Sequence, residues 1–406
     1  MIMDFLPSAN RTLATATILT IAGMLLSWSN QSIAFSKVDV TNCTVGAHKL
    51  GGAIASDIKD DTAAIQACLD AAGSEAAVYF PPGNYVISST LIVTNNNVTL
   101  YSDTRSSAQL SFQGCGDLIR FARGTQQISN NGIKGLWLHG DGHCVQTGVH
   151  YRDQSWGSLE DVQIDGFVNG IAGSSIGLQV DGREGFNARN LRIIANLPIV
   201  IGRNPNHPYL DADHVHLENI YSTVEGPNWH VTLRDGVTVT NMTLDGANPL
   251  AGGCGILKWV TTTPPPSVSV HLVLAGIRHE QQYPGCDRQI DIELPASRPL
   301  QEFKVDNSRL EGPYTAGHNA IYLRSVDSIS IVDTSYPNPA SATTNANFIN
   351  ASGARAIYLA NNYLTPFGGK IVTASPVLQW TSGPFGGKDC CDPPGVRTLD
   401  SGTLAK

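Results

Sequence analysis

The sequence predicts an all-β solenoid, a parallel β-helix capped at its N-terminal end by a short helix. Three observations lead there. An apolar pattern carrying one bend residue recurs at intervals of a few tens of residues, its apolar units are short and alternate with period two, and an amphipathic helix stands ahead of the first strands. Composition agrees: only 15% of the 406 residues are charged, and 40 are glycine. That balance suits a turn-rich β protein and argues against a helical bundle or a disordered chain.

In chain order, residues 1–34 read as a secretory signal peptide. Arg11 precedes an apolar run from Leu13 to Trp28, and Ser32-Ile33-Ala34 supplies small residues ahead of Phe35. An uncleaved anchor is the alternative, since the run approaches the lower length for a span. No later stretch is apolar enough to cross a membrane, so the mature chain is expected to be extracellular or periplasmic, without stable membrane insertion. Export gives the eight cysteines an oxidising compartment, and their even number favours disulfides over a metal cluster. Order alone does not fix connectivity. Pairing sequence neighbours (Cys43 with Cys68, Cys115 with Cys144, Cys254 with Cys286) would cross-link adjacent turns of a solenoid.

Residues 35–75 hold the N-terminal segment and the capping helix. Asp60-Asp61-Thr62 offers N-cap chemistry and Gly73 a stop, while Ile65, Cys68, Leu69 and Ala72 form one apolar face. Such a helix covers the unpaired edge of the first coil.

The β-helix is expected over residues 76–365. Ile133 to Leu138 shows its repeat unit: apolar, any residue, a bend residue, then apolar, any, apolar. Copies centre on Gly135, Asp161, Asn190, Asn219, Asn241 and Asn307, with spacings of 26, 29, 29, 22 and 66 residues. Asn, Asp and Gly tolerate bend dihedrals, and stacked Asn amides can bond along the axis. A second strand follows most Gly turns, as in Gly148-Val149, Gly170-Ile171, Pro198 to Ile201, Val231 to Leu233, Ile256 to Val260, Ile290 to Leu294, Ile321 to Leu323 and Ile357 to Leu359. Residues 366–406 read as an irregular Gly- and Pro-rich tail containing Cys390-Cys391.

Two segments carry a specific resemblance. Asp60-Asp61-Thr62-Ala63-Ala64-Ile65-Gln66, followed by Val78-Tyr79-Phe80-Pro81-Pro82-Gly83-Asn84-Tyr85, resembles the opening of the pectate-lyase-like superfamily, and within it the rhamnogalacturonase and epimerase-like pectate lyase domain. The resemblance implies a right-handed parallel β-helix and carbohydrate chemistry. The superfamily's polygalacturonase motifs are missing from the rungs, so the fold carries over and the reaction does not.

Function on a β-helix belongs to outward side chains, which period two identifies. In Gln289 to Leu294 the isoleucines point in, so Asp291 and Glu293 project out, about 7 Å apart along the strand. Such a spacing suits an acid and a base flanking a glycosidic bond with water between them. Lys258 on the preceding strand, and Tyr322 and Arg324 on the following one, extend the stripe; a cation there would neutralise a uronate carboxylate. The bland reading is a solvated salt-bridge ladder.

A second candidate is the run from Arg203 to Glu218. With Val215 and Leu217 inward, His214, His216 and Glu218 share the outer face, as bases, acids or metal ligands. Asp211 and Asp213 offer hard oxygen ligands for calcium. Arg278, beside His279 and Glu280, is a weaker candidate for a base or a carboxylate clamp. Trp137, Trp156, Trp229 and Trp259 are candidates to stack on sugar rings, with Trp137 favoured by its outward position.

These residues point to cleavage of a polysaccharide, a uronate polymer favoured, by β-elimination or hydrolysis. The alternatives are a non-catalytic polysaccharide-binding adhesin and a tailspike-like depolymerase, so a monomer and a homotrimer are both open. A net charge of −8 gives no reason to expect a nucleic-acid partner, and an anionic polymer would need a local cluster of basic residues.

Overall fold

The computed structural model describes residues 36–382, apart from 46–47, 50–51, 171–172, 183, 205–210, 247–249, 281–285, 287, 312–318, 337–346, 365–371 and 376–377. The expected signal peptide and Cys390-Cys391 lie outside the described residues.

Strands stack in parallel into a sheet of 23 strands and a sheet of 11, here the broad and the narrow sheet. Most turns give two strands to the broad sheet and one to the narrow, the winding of a right-handed parallel β-helix. Alternation decides what fills it. On the narrow sheet, Ile119, Val149, Leu178, Ile199, Val231, Leu257, Ile290, Ile321 and Ile349 form one inward column, each essentially inaccessible to solvent. Aromatic rings continue the packing: Phe121 stacks on Tyr151 with centroids 4.5 Å apart, and Tyr151 meets Phe186 edge-on at 5.0 Å. Truncating one such residue, for example Leu178 to Ala, costs about 2–5 kcal/mol.

The helix α1 (Thr62–Ala72) buries Ile65, Cys68, Leu69 and Ala72 as the sequence predicts. Its two aspartates divide their work. Asp60 Oδ1 accepts from the backbone N–H of Thr62 at 3.0 Å, whereas Asp61 accepts from the N–H groups of Ile54 and Val86 at 2.9 and 3.2 Å. Asp61 thereby ties the helix start to the first coil instead of capping the helix.

The bend sits on a row of left-handed residues that is more regular than the sequence pattern. It runs through Gly135, Asp161, Asn190, Asn219, Gly246, Gly276, Asn307, Asp333 and Asn361, all with positive φ. Intervals range from 26 residues (135 to 161) to 31 (276 to 307). Asn190 donates to Asp161 Oδ1 at 3.1 Å, and Asn219 donates to Asn190 Oδ1 at 2.7 Å, along the axis. Asn241 is not a bend: it pairs with His271 inside the strand Asn241–Asp245, and Gly246 turns the chain. Bends at Gly246 and Gly276 replace the expected spacings of 22 and 66 residues with 27, 30 and 31.

Three further points differ from expectation. Ile357 to Leu359 lies in the broad sheet, and the narrow-sheet strand of that turn is Asn347–Ser352. A strand at Ile176–Asp181 was not expected, and Ile171 of the expected Gly170-Ile171 lies outside the described residues. The solenoid also passes residue 365, because Val372–Ser375 and Leu378–Ser382 pair with Asn347–Ser352 and Ala356–Ala360. Disulfides join Cys43 to Cys68, Cys115 to Cys144 and Cys254 to Cys286, each between sequence neighbours. Among the described residues, no helix is long and apolar enough to cross a membrane.

Candidate functional site

The outer face of the narrow sheet carries one row of side chains from turn to turn: Ile92, Arg120, His150, Gln179, Val200, Thr232, Lys258, Asp291, Tyr322 and Asn350. Two residues further along each strand, a second row holds Arg152, Asp181, Gly202, Arg234, Val260, Glu293 and Arg324. Basic residues therefore cluster on this face despite the negative net charge of the chain. Two groups of side chains stand out on it.

The first centres on His150 in the strand Gln146–Arg152. Its Nδ1 lies 2.9 Å from Asp117 Oδ2 and its Nε2 2.9 Å from Asp181 Oδ2, so one imidazole spans two carboxylates. Arg120 Nε donates to Asp117 at 2.6 Å, and Gln179 Nε2 donates to Asp181 Oδ2 at 2.7 Å. Burial opposes charge on His150, yet the hydrogen bonds its N–H groups donate to both carboxylates outweigh it and raise its pKa. Burial likewise pushes Asp117 up, and His150 with Arg120 pull it below its ordinary value. Asp181 keeps its other oxygen, Oδ1, buried and without a hydrogen-bond partner. That oxygen lies against Gly202, where an added Cβ would fall 1.7 Å from it. The glycine makes room for the carboxylate.

The second group holds the sequence-predicted stripe. Asp291 pairs in register with Lys258 and Tyr322, and Glu293 with Val260 and Arg324. Arg288, absent from the sequence reading, organises it. Its Nη1 donates to Asp291 Oδ1 at 2.6 Å and to Glu293 Oε1 at 2.7 Å, and its guanidinium lies 3.8 Å from the Tyr322 ring centroid. The space expected to hold a water between the carboxylates is thus taken by a cation. Asp291 is 7% exposed, and burial raises its pKa beyond what Arg288 lowers it. Four strand steps separate Asp181 from Asp291, about 19 Å at the usual spacing.

The other predicted residues fall elsewhere. His216 and Glu218 project from the broad sheet with Val215 and Leu217 inward, and His214 occupies the turn before them. Arg278 is also on the broad sheet, bonded to Glu280 at 2.9 Å, and does not join the stripe. Trp137 is half-buried on the broad sheet and donates to Asp165 Oδ1 at 2.9 Å, which also binds His139 Nδ1 at 2.6 Å. Trp259 is wholly buried in the core, and Trp229 packs against the Cys254–Cys286 disulfide, so neither faces a ligand. Trp156 is exposed.

Asp211 and Asp213 do not have the character of calcium ligands. Asp211 uses both oxygens on backbone N–H groups, of Asn204 at 3.0 Å and of Thr238 at 3.3 Å, and burial pushes its pKa up to about 6. Asp213 faces His214 Nδ1 at 2.9 Å. Among the described residues the ligand-like cluster is Cys115, His143 and Cys144, whose two sulfurs form a disulfide.

Comparison with known proteins follows the geometry. Residues 49–135 match the family model described as rhamnogalacturonase A/epimerase, pectate lyase-like. No curated protein matches the chain. Among solved structures, a mutant tailspike protein of E. coli bacteriophage HK620 in complex with a pentasaccharide is 12% identical with a TM-score of 0.57, covering 86% of this chain and 65% of the tailspike. A mannuronan C-5 epimerase A-module of Azotobacter vinelandii is 14% identical with a TM-score of 0.45, covering 82% of this chain and 97% of the module. PfbA, a surface adhesin of Streptococcus pneumoniae, is 12% identical with a TM-score of 0.49, covering 83% and 91%. The chain spans just under two thirds of the tailspike, and 66% of ORF18 of Geobacillus virus E2. At such identities the likeness concerns the fold. The chain folds as a right-handed parallel β-helix, and its residues 49–135 match the model of the rhamnogalacturonase A/epimerase, pectate lyase-like family.

Proposed function

We propose that the outer face of the narrow sheet binds a uronate-containing polysaccharide and cleaves it by β-elimination at His150 and Asp181. One observation carries this reading: an imidazole held between two carboxylates on the outer face of the narrow sheet. The family signature and the saccharide-bound tailspike of the same fold support a carbohydrate as the ligand.

The chemistry divides among named groups. Arg120 and Arg152 neutralise the uronate carboxylate, which acidifies the C–H beside it. Asp181 Oδ2, given up by Gln179 as the substrate binds, takes that proton, the electron pair forms a ring double bond, and the bond to the glycosidic oxygen on the next carbon breaks. His150, whose protonated form its two carboxylates favour, turns its Nε2–H from Asp181 to the departing oxygen and protonates it. The His150–Asp181 hydrogen bond then returns the abstracted proton to the imidazole and closes the cycle. Lys258, Arg288, Tyr322 and Arg324 hold the chain further along the groove. Three disulfides fit an exported protein working in an oxidising compartment.

The raised Asp291 beside Glu293 favours a second reading, hydrolysis with Asp291 as proton donor. Incubating the chain from Phe35 onward with acidic polysaccharides separates the two. Ultraviolet absorbance of unsaturated uronate together with new reducing ends supports elimination, and reducing ends alone support hydrolysis. A strict calcium requirement would transfer carboxylate neutralisation from the arginines to an ion. No product across the panel would leave an adhesin-like binding protein, and a trimer in solution would favour the tailspike-like form.

A further inference from the structure

Trp156 combines two properties that seldom occur together. It is 47% exposed, and its backbone is left-handed, with φ of 57°. Bulky L residues avoid that conformation, and where it persists it commonly serves a ligand. Neighbouring turns show what the position ordinarily takes. In register with Trp156 stand Asn130 (φ 56°) and Gly185 (φ 68°), and beyond Gly185 stands His214 (φ 52°). Asparagine and glycine accept this backbone at little cost, and nothing in the core rewards a tryptophan there.

The ring is seated deliberately. An added Cβ at Gly185 would fall 2.3 Å from Trp156 Cε3, so the indole lies directly over the glycine backbone. It reaches across Gly185 to His214, with ring centroids 6.2 Å apart and planes inclined by 34°. Asp213 Oδ1 lies 2.9 Å from His214 Nδ1, on the side of the imidazole away from its Nε2 edge. Trp156 lies four residues beyond Arg152, as the third residue of the broad-sheet strand Gln154–Glu160 that follows the strand bearing His150.

We infer that Trp156 and His214 form a shelf that stacks on a pyranose ring of the bound polysaccharide, a subsite at the rim of the narrow-sheet groove. A pyranose presents C–H bonds on its flat face and hydroxyls at its edge, which match an indole face and an oriented imidazole. The inference rests on the polysaccharide reading of that groove and adds where the polymer leaves it.

The test uses Trp156→Gly and Trp156→Phe in the full mature chain, with polygalacturonate and alginate as probes in affinity electrophoresis and thermal unfolding read in parallel. Glycine accepts positive φ, so Trp156→Gly is expected to unfold at the same or a higher temperature while binding about tenfold more weakly. Trp156→Phe is expected to keep most of the affinity. Wild-type affinity in Trp156→Gly overturns the shelf, and so does a lowered unfolding temperature with unchanged binding, which assigns the indole to packing. If the wild type itself binds neither polymer but His150→Ala abolishes turnover of another saccharide, the shelf is overturned for uronate polymers while the groove reading stands. If the wild type neither binds nor turns over any saccharide, the groove reading falls and takes the shelf with it.

Discussion

His150 and His279 are both largely shielded from water, and their surroundings push them in opposite directions. His150 lies on the outer face of the narrow sheet between Asp117 and Asp181, and its pKa is raised. His279 lies in the interior, in the column of Leu250 and Leu310, edge-on to His230 at 5.1 Å. Burial lowers its pKa to about 4 and that of His230 well below its ordinary value. Burial penalises the charged form in all three, and only carboxylates within hydrogen-bonding reach reverse it. The carboxylates around the first histidine favour its protonated form. The other two are uncharged filling for a core.

Substitution at the two places should separate these roles. His150→Ala is expected to reduce turnover by about 100-fold or more, the usual range for a general acid, while leaving unfolding by circular dichroism little changed. Comparable loss in His279→Leu with a native fold would erase the distinction.

Acid comes next in size. His279 binds its proton more weakly folded than unfolded, so no stability is lost above pH 6.5, and stability falls as pH drops from there towards 4. The full loss is about 3 kcal/mol, with His230 adding in the same direction. His150 has the opposite sign: its contribution is complete below pH 6.5 and disappears as pH rises through its raised value. Denaturant titrations of His279→Leu and His150→Gln across pH should flatten the acid and alkaline limbs respectively.

A smaller effect probes the seat of Asp181. Gly202→Ala places a methyl against Asp181 Oδ1 and is expected to lower turnover about tenfold by displacing the base, with KM little affected. The smallest concerns the bend. Asn190→Ala loses both axial hydrogen bonds, to Asp161 and from Asn219, and leaves alanine in the left-handed region without an amide to compensate, costing about 1–2 kcal/mol in denaturant unfolding.

The fold was readable because apolar alternation and bend residues report directly on burial and backbone, the two things a solenoid repeats. Its one misplaced bend, at Asn241, came from a pattern match that Asn241–Asp245 satisfies by chance, while the backbone needed Gly246. The candidate site was half readable. Alternation placed Lys258, Asp291, Tyr322 and Arg324 in neighbouring rows of one sheet, because the strands bearing them follow Gly turns. It passed over Arg120, Gln179 and Asp181 because Gly116–Phe121 and Ile176–Asp181 went unrecognised as strands, although Leu178 and Val180 alternate with Gln179 and Asp181. Arg288 was out of reach. It lies outside the strand, and only the folded loop brings its guanidinium onto Asp291 and Glu293.

The disulfides give the molecule an uneven tolerance of peptidases. Each described bridge spans 25 to 32 residues, about one coil, so a nick inside a bridged interval releases no fragment. Among the described cysteines none falls between Cys144 and Cys254, and a single nick there leaves two pieces joined only by noncovalent contacts. His150, Trp156, Asp181 and His214 all lie in that interval. The stretch proposed to meet a polymer therefore resists a peptidase through its strand packing alone, without a covalent tie.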